Sequence, residues 1–170
     1  MPSLRQIKWK PPDCGKYKTN YNRAVFGDVN EAELGVLIWN DKGGVMAALA
    51  KKIPLPHSVV LLEALAMRQA ILFATELGFN QSMFEGDSKI LVKALYNASS
   101  SHAAIGHIIK DIPSTSSFFQ THSFSHTRRQ GNSIAHVLAR RARNSFPLDV
   151  WMESIPSDLV HLVISDFHVP

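Results

Sequence analysis

Hydrophobic and polar positions split the chain into a strand-rich front and a helix-rich back. Lys16–Phe26 (KYKTNYNRAVF) predicts a first strand with Asn22 near its centre. Asn is depleted in strands because its side chain competes for backbone hydrogen bonds, so that position raises a question of chemistry. Leu34–Asn40 (LGVLIWN) is a continuous apolar run, suited to a strand buried on both faces. Asp41-Lys42-Gly43-Gly44 predicts a tight turn, and Val45–Ile53 a third strand. Short turns between three strands predict an antiparallel meander.

Pro54 and Pro56 break this pattern. Ser58 can cap a long helix over Val59–Leu77, ended by Gly78. That helix is apolar almost all round, which predicts burial against a sheet. Glu63 interrupts its first half. Gln81–Glu85 predicts a short strand, Gly86 a turn, and Asp87-Ser88 the start of a helix running to about Tyr96. Asn97–His102 reads as a loop, Ala103–Ile112 as a weaker helix stopped by Pro113, and Phe118–His126 as a strand. The basic turn TRRQGN leads into a helix from Ile134 to about Ser145, capped by Asn132 or Ser133. A tail with Trp151, Pro156 and an apolar run to Ile164 follows. The order βββ-α-β-α-α-β-α predicts an α/β fold with a mixed sheet, an antiparallel meander joined to strands that are entered through helical crossovers.

Composition narrows this picture. The 170 residues are 45% hydrophobic and 19% charged, which suits one domain with a real core and no low-complexity segment. A net charge of +4 permits a polyanionic partner without requiring one. The single cysteine, Cys14, excludes an internal disulfide or a thiolate zinc site and favours a reducing compartment, nucleus or cytoplasm. Met1–Pro12 lacks the apolar core of a signal peptide, and Leu159–Ile164 is far too short to span a bilayer, so no membrane role is expected. A monomer is the default expectation.

Two carboxylates stand where chemistry is plausible. Glu63 lies on the first buried helix, and Asp87 follows a strand end, where α/β sheets place their sites. Each has an ordinary alternative: Glu63 as a group reaching solvent from a partly exposed face, Asp87 as a simple helix cap.

Five ordered segments carry a resemblance: WKPPDCGKYKTN, LEALAMRQAILFATELG, FEGDSKILVKAL, HTRRQGNSIAHVLARRA, and Trp151 with Pro156 and the apolar tail. Together the chain resembles the ribonuclease H-like domain. It is closest in pattern to the plant family of such domains found in non-LTR retroelement proteins and as free-standing genes. The resemblance implies a ribonuclease H-like fold, with a mixed five-stranded sheet flanked by helices. Residues 1–15 would form a lead-in, 16–147 the domain, and 148–170 a tail packing on or near it.

The resemblance also implies a site of four acidic residues holding two Mg²⁺ ions and cutting the RNA strand of an RNA–DNA hybrid. Two such ions clamp the attacking and leaving oxygens of a phosphodiester. The four positions fall here on Asn22, Glu63, Asp87 and His136, so two carboxylates remain. An amide oxygen cannot bridge two ions as a carboxylate does, and an imidazole suits Mn²⁺ or Zn²⁺ better than Mg²⁺. The expectation is therefore one ion, Mg²⁺ or Mn²⁺, or none, with cleavage impaired. Neither Asp13 nor Asp28 has an obvious route into the site.

Arg128, Arg129 and Asn132 sit around the start of the last helix, where backbone N–H groups also favour phosphate, and are the candidate nucleic-acid contacts. Arg140 and Arg141 lie near the helix's C-terminal end, where cations complement the helix dipole, and Arg143 completes the basic cluster. Lys51-Lys52 reads alternatively as an edge guard on the third strand. The expected partner is RNA–DNA hybrid or duplex nucleic acid. A non-catalytic protein-interaction module that reuses the fold is the alternative.

Overall fold

The computed structural model describes residues 10–79, 81–89, 91, 123–126, 133–141 and 147–161. Within them lie six strands: β1 (Tyr17–Phe26), β2 (Glu31–Trp39), β3 (Val45–Pro54), β4 (Ser82–Gly86), β5 (Ser123–His126) and β6 (Leu148–Met152). Two helices accompany them, α1 (Val59–Glu76) and α2 (Ser133–Arg141). The sheet order is β5-β4-β1-β2-β3-β6. β1, β2 and β3 form the expected antiparallel meander, while β4 runs parallel to β1 and β5 parallel to β4. The expected mixed five-stranded sheet is present, and β6 adds a sixth strand antiparallel to β3. Among the described residues, no helix is long and apolar enough to cross a membrane.

Strand alternation divides the core. Ala32, Leu34, Val36 and Ile38 of β2 pack with Tyr21 of β1 beneath α1, whose Leu62, Met67 and Ile71 are almost wholly buried. The intervening Leu37 and Trp39 face the other way, against Ile134 and Leu138 of α2. Ala24 and Phe26 of β1 join that second face through Ala139. β2 is thus buried on both faces, as its continuous apolar run requires. α1 starts as expected: the Ser58 hydroxyl accepts from the Leu61 amide at 3.1 Å, one of the helix's otherwise orphaned donors.

Two differences from expectation have clear causes. β2 begins at Glu31 rather than Leu34, because the acidic start Glu31-Ala32-Glu33 pairs in register with Phe26–Ala24. Lys51 and Lys52 do not guard an edge, since β6 covers β3. Lys51 instead donates to Gln69 at 3.2 Å, and Lys52 lies 3.8 Å from the Glu31 carboxylate.

Candidate functional site

β4 is short. It pairs with β1 only over Tyr17–Asn20, and ends at Gly86. β1 runs on as Tyr21-Asn22-Arg23 with no strand on its β4 side among the described residues, while β2 still pairs with it on the other. The C-terminal end of a parallel strand, beside a neighbour that continues, is where open α/β sheets place their sites.

Each of these three β1 residues reaches a different element. The ring of Tyr21 lies against Gly86, so closely that a Cβ on Gly86 would overlap it. That contact fixes where the chain leaves β4, and Asp87 is the next residue. Asn22 pairs across the sheet with Gly35. A Cβ at Gly35 would run into the Ala135 carbonyl and come within 2.9 Å of the Ala139 amide. Glycine there lets α2 sit directly on the sheet, and places the turn that carries His136 over the pair. Arg23 turns to the α1 face, where its Nη2 lies 3.2 Å from Oε1 of Glu63.

The four sequence-derived positions, Asn22, Glu63, Asp87 and His136, therefore sit on elements that converge on one tripeptide of β1. Asn22 is buried; Glu63, Asp87 and His136 are half-buried. Its Oδ1 accepts the Arg23 backbone N–H at 2.8 Å, and its Nδ2 is buried with no acceptor. The Ser88 hydroxyl, and not the Asp87 carboxylate, accepts the Leu91 amide, at 3.5 Å. Among the described residues Asp87 makes no ion pair. The sequence-derived contacts Arg128, Arg129 and Asn132 lie outside the described residues, as do the expected helix Ala103–Ile112, Arg143 and the histidines at 102, 107 and 122.

Reasoning from sequence missed Arg23. The signal was its parity: in β1 it shares a face with Tyr21, toward the helix that carries Glu63. A charge on a core-facing strand position needs a partner. A second polar cluster occupies the opposite face, where Lys18 Nζ lies 3.1 Å from Oε1 of Glu85 and Asn20 Nδ2 lies 3.4 Å from Oε2. The Tyr21 hydroxyl feels all of this. Burial raises its pKa well above the ordinary phenol value, and the negative charges of Asp87, Glu63 and Glu85 raise it further. It stays protonated at any physiological pH.

A centre for two divalent ions does not fit this donor set. Of the three carboxylates around this strand end, Glu63 and Glu85 are matched by Arg23 and Lys18, and Asp87 has no ion pair within the described residues. Asn22 supplies a neutral amide, with one oxygen that accepts the Arg23 backbone N–H, in place of a carboxylate with two anionic oxygens. Among the described residues, no three His, Cys, Asp or Glu side chains group closely enough to hold a metal ion.

The comparisons agree with this architecture. Among curated proteins, no relative matches the chain. Solved structures do. RNase H1 from the halophilic archaeon Halobacterium salinarum is similar over 75% of this chain and 97% of its own, at 24% identity and TM-score 0.66. The N-terminal RNase H domain of a Mycobacterium tuberculosis protein, solved as a fusion with maltose-binding protein, covers 75% and 92% at 20% identity and TM-score 0.64. LC11-RNase H1, a compost isolate solved with an RNA/DNA hybrid, covers 74% and 95% at 18% identity and TM-score 0.58. These likenesses show a shared RNase H fold. The model of the reverse transcriptase-like family matches residues 20–142, a span that runs from within β1 through α2 and holds all four candidate positions, and the chain belongs to that family.

Proposed function

We propose that this protein binds RNA–DNA hybrid or duplex nucleic acid through its RNase H-like domain, and that hydrolysis of the RNA strand is impaired. The carrying observation is the makeup of the β4 end. Of the four positions there, Asn22 is a buried amide and His136 an imidazole, and Glu63 is already bonded to Arg23. Hydrolysis by two clamping cations needs carboxylates free to bridge them. Binding needs less: cationic and hydrogen-bonding groups along an A-form-like duplex, read by shape and 2′-OH rather than by base. Arg128, Arg129 and Asn132 are proposed for that role. The complex of LC11-RNase H1 with an RNA/DNA hybrid supports the choice of partner. A retroelement origin of the plant type is part of the same proposal, carried by the five sequence segments alone.

The test is fluorescence anisotropy of a labelled hybrid over a salt series, with a cleavage assay in Mg²⁺ and Mn²⁺ alongside. The expected result is binding that weakens steeply with salt, and no cut product. Efficient cleavage by the native chain, abolished by Asp87→Asn, would overturn the impaired-centre part of the reading.

A second reading has its own observation. β6 is the outer strand of the sheet, and Leu148, Val150 and Met152 stand on it about half exposed. An apolar stripe on an open edge suits contact with another protein. The absence of any hybrid affinity at low salt would move this reading ahead.

A further inference from the structure

We propose that Arg23 is the resident cation of the β4-end site: its guanidinium takes the place of a divalent ion, and nucleic acid engages the site without one. This inference rests on the reading above that the site faces nucleic acid.

The juxtaposition is specific. Arg23 satisfies oxygens of two of the four candidate positions. Its backbone N–H is 2.8 Å from Asn22 Oδ1, and its Nη2 is 3.2 Å from Glu63 Oε1. The Arg23 and Glu63 side chains are 26% and 16% exposed, so the pair is shielded without being sealed. A divalent ion entering here would have to strip the guanidinium from Glu63 and find a ligand at Asn22. The Asn22 side-chain oxygen already accepts the Arg23 backbone N–H, and the N–H groups of its buried Nδ2 repel cations.

Arg23 is also underused by the protein. A guanidinium carries five N–H donors. Among the described residues its buried Nε has no acceptor, so Glu63 alone does not satisfy the group. The phosphate-facing part of the fork is its guanidinium end, whose N–H groups outnumber the one bond to Glu63 on a side chain 26% exposed, and that planar end is suited to a phosphate oxygen. Glu63 would then hold the fork in place as a positioning residue. Asp87 would repel a second phosphate, which restricts contact to one backbone position.

The inference separates two variants that a simple missing-acid account treats alike. Asn22→Asp restores a carboxylate but leaves Arg23 on Glu63. Asn22→Asp/Arg23→Gln restores the carboxylate and removes the cation. Mn²⁺ binding by the full chain is read from loss of the free-ion electron paramagnetic resonance signal. The native chain and Asn22→Asp are expected to bind weakly. The double variant is expected to bind roughly tenfold to a hundredfold more tightly than Asn22→Asp, the scale of one charge-assisted hydrogen bond released. Equal Mn²⁺ affinity in the native chain and the double variant would overturn the proposal.

Hybrid binding supplies the second arm. The native chain should bind equally well in EDTA and in Mg²⁺. Arg23→Gln should weaken binding and lower the salt slope by about one phosphate contact, with Arg23→Lys restoring the slope. Native binding that disappears in EDTA would overturn the inference. Failure to bind hybrid in either buffer would overturn the functional reading and the phosphate contact with it, while the Mn²⁺ arm decides whether Arg23 is the site's cation. Circular dichroism of each variant separates a changed site from a lost fold.

Discussion

The ring of Tyr21 occupies the space that a Cβ on Gly86 would need. The residue before Asn22 thereby dictates the residue before Asp87. Both side chains belong to well-packed surroundings, since Tyr21 is 3% exposed and Gly86 is buried. Gly86→Ala should therefore overpack the contact and destabilise the fold by about 1–3 kcal/mol. Urea unfolding measures this. Tyr21→Leu in the same chain should relieve part of the cost, giving a favourable coupling in the double-mutant cycle. Strictly additive effects would mean the two residues do not meet.

Gly35→Ala should cost more than Gly86→Ala. The obstacle at Gly86 is a side chain, which can shift. At Gly35 it is backbone, the Ala135 carbonyl and the Ala139 amide. Helix α2 can accommodate a methyl group only by moving off the sheet, and with it Ile134 and Leu138 leave Leu37 and Trp39. The expected cost is at or above the upper end of about 1–3 kcal/mol. Comparing urea midpoints of the two alanine variants checks the ranking.

How far this molecule was legible from sequence depends on range. The meander, the Ser58 cap and α1 follow from local patterns of three to eighteen residues, and the structure has them all, with the start of β2 displaced. β6 was hidden because five residues with Trp151 and Asp149 among them read as a tail; only pairing with β3, about a hundred residues earlier, makes them a strand. The start of β2 was hidden by Glu31 and Glu33, whose polarity argues for a loop until Glu33 is seen to be wholly buried. At the site, Asn22 drew notice as an odd residue in a strand. Arg23 did not, because an arginine on a strand reads as a solvent-facing position until its parity places it under α1.

Two ion pairs should behave in opposite ways. Lys18–Glu85 is buried, with side chains 5% and 14% exposed, and the Lys18 ammonium also donates to the Lys10 carbonyl. Lys18→Met leaves a buried carboxylate without its cation and should cost about 3–5 kcal/mol. Lys16–Asp13 is 4.0 Å apart and mostly in water, so Lys16→Met should fall within about 1 kcal/mol of native. Thermal or urea unfolding of the two single variants at moderate salt distinguishes them. A cost for Lys18→Met no larger than that for Lys16→Met would contradict the buried pair.

Glu33 should tilt the stability of the whole chain with pH. It is 0% exposed, and among the described residues neither of its buried carboxylate oxygens has a hydrogen-bond partner. Burial is the main force holding its pKa up to about 7, from an ordinary 4.5. Lys52 pulls it back down, while Asp149 and Glu31 push it further up. The proton is therefore bound more tightly in the folded state than in the unfolded one. Below about pH 4.5 both states carry it and the contribution is complete. Between about 4.5 and 7 the unfolded chain has released the proton and the folded chain has not, so stability falls as pH rises, by up to about 1.4 kcal/mol per unit. Above about 7 the loss is complete and the curve is flat. Glu33→Gln keeps the shape and removes the proton equilibrium. Urea midpoints of native and Glu33→Gln chains at about pH 5 and about pH 8 should show the variant gaining on the native chain at the higher pH. A native-minus-variant difference that does not change with pH would mean Glu33 is ionised in the fold, with a cation close enough to hold it so.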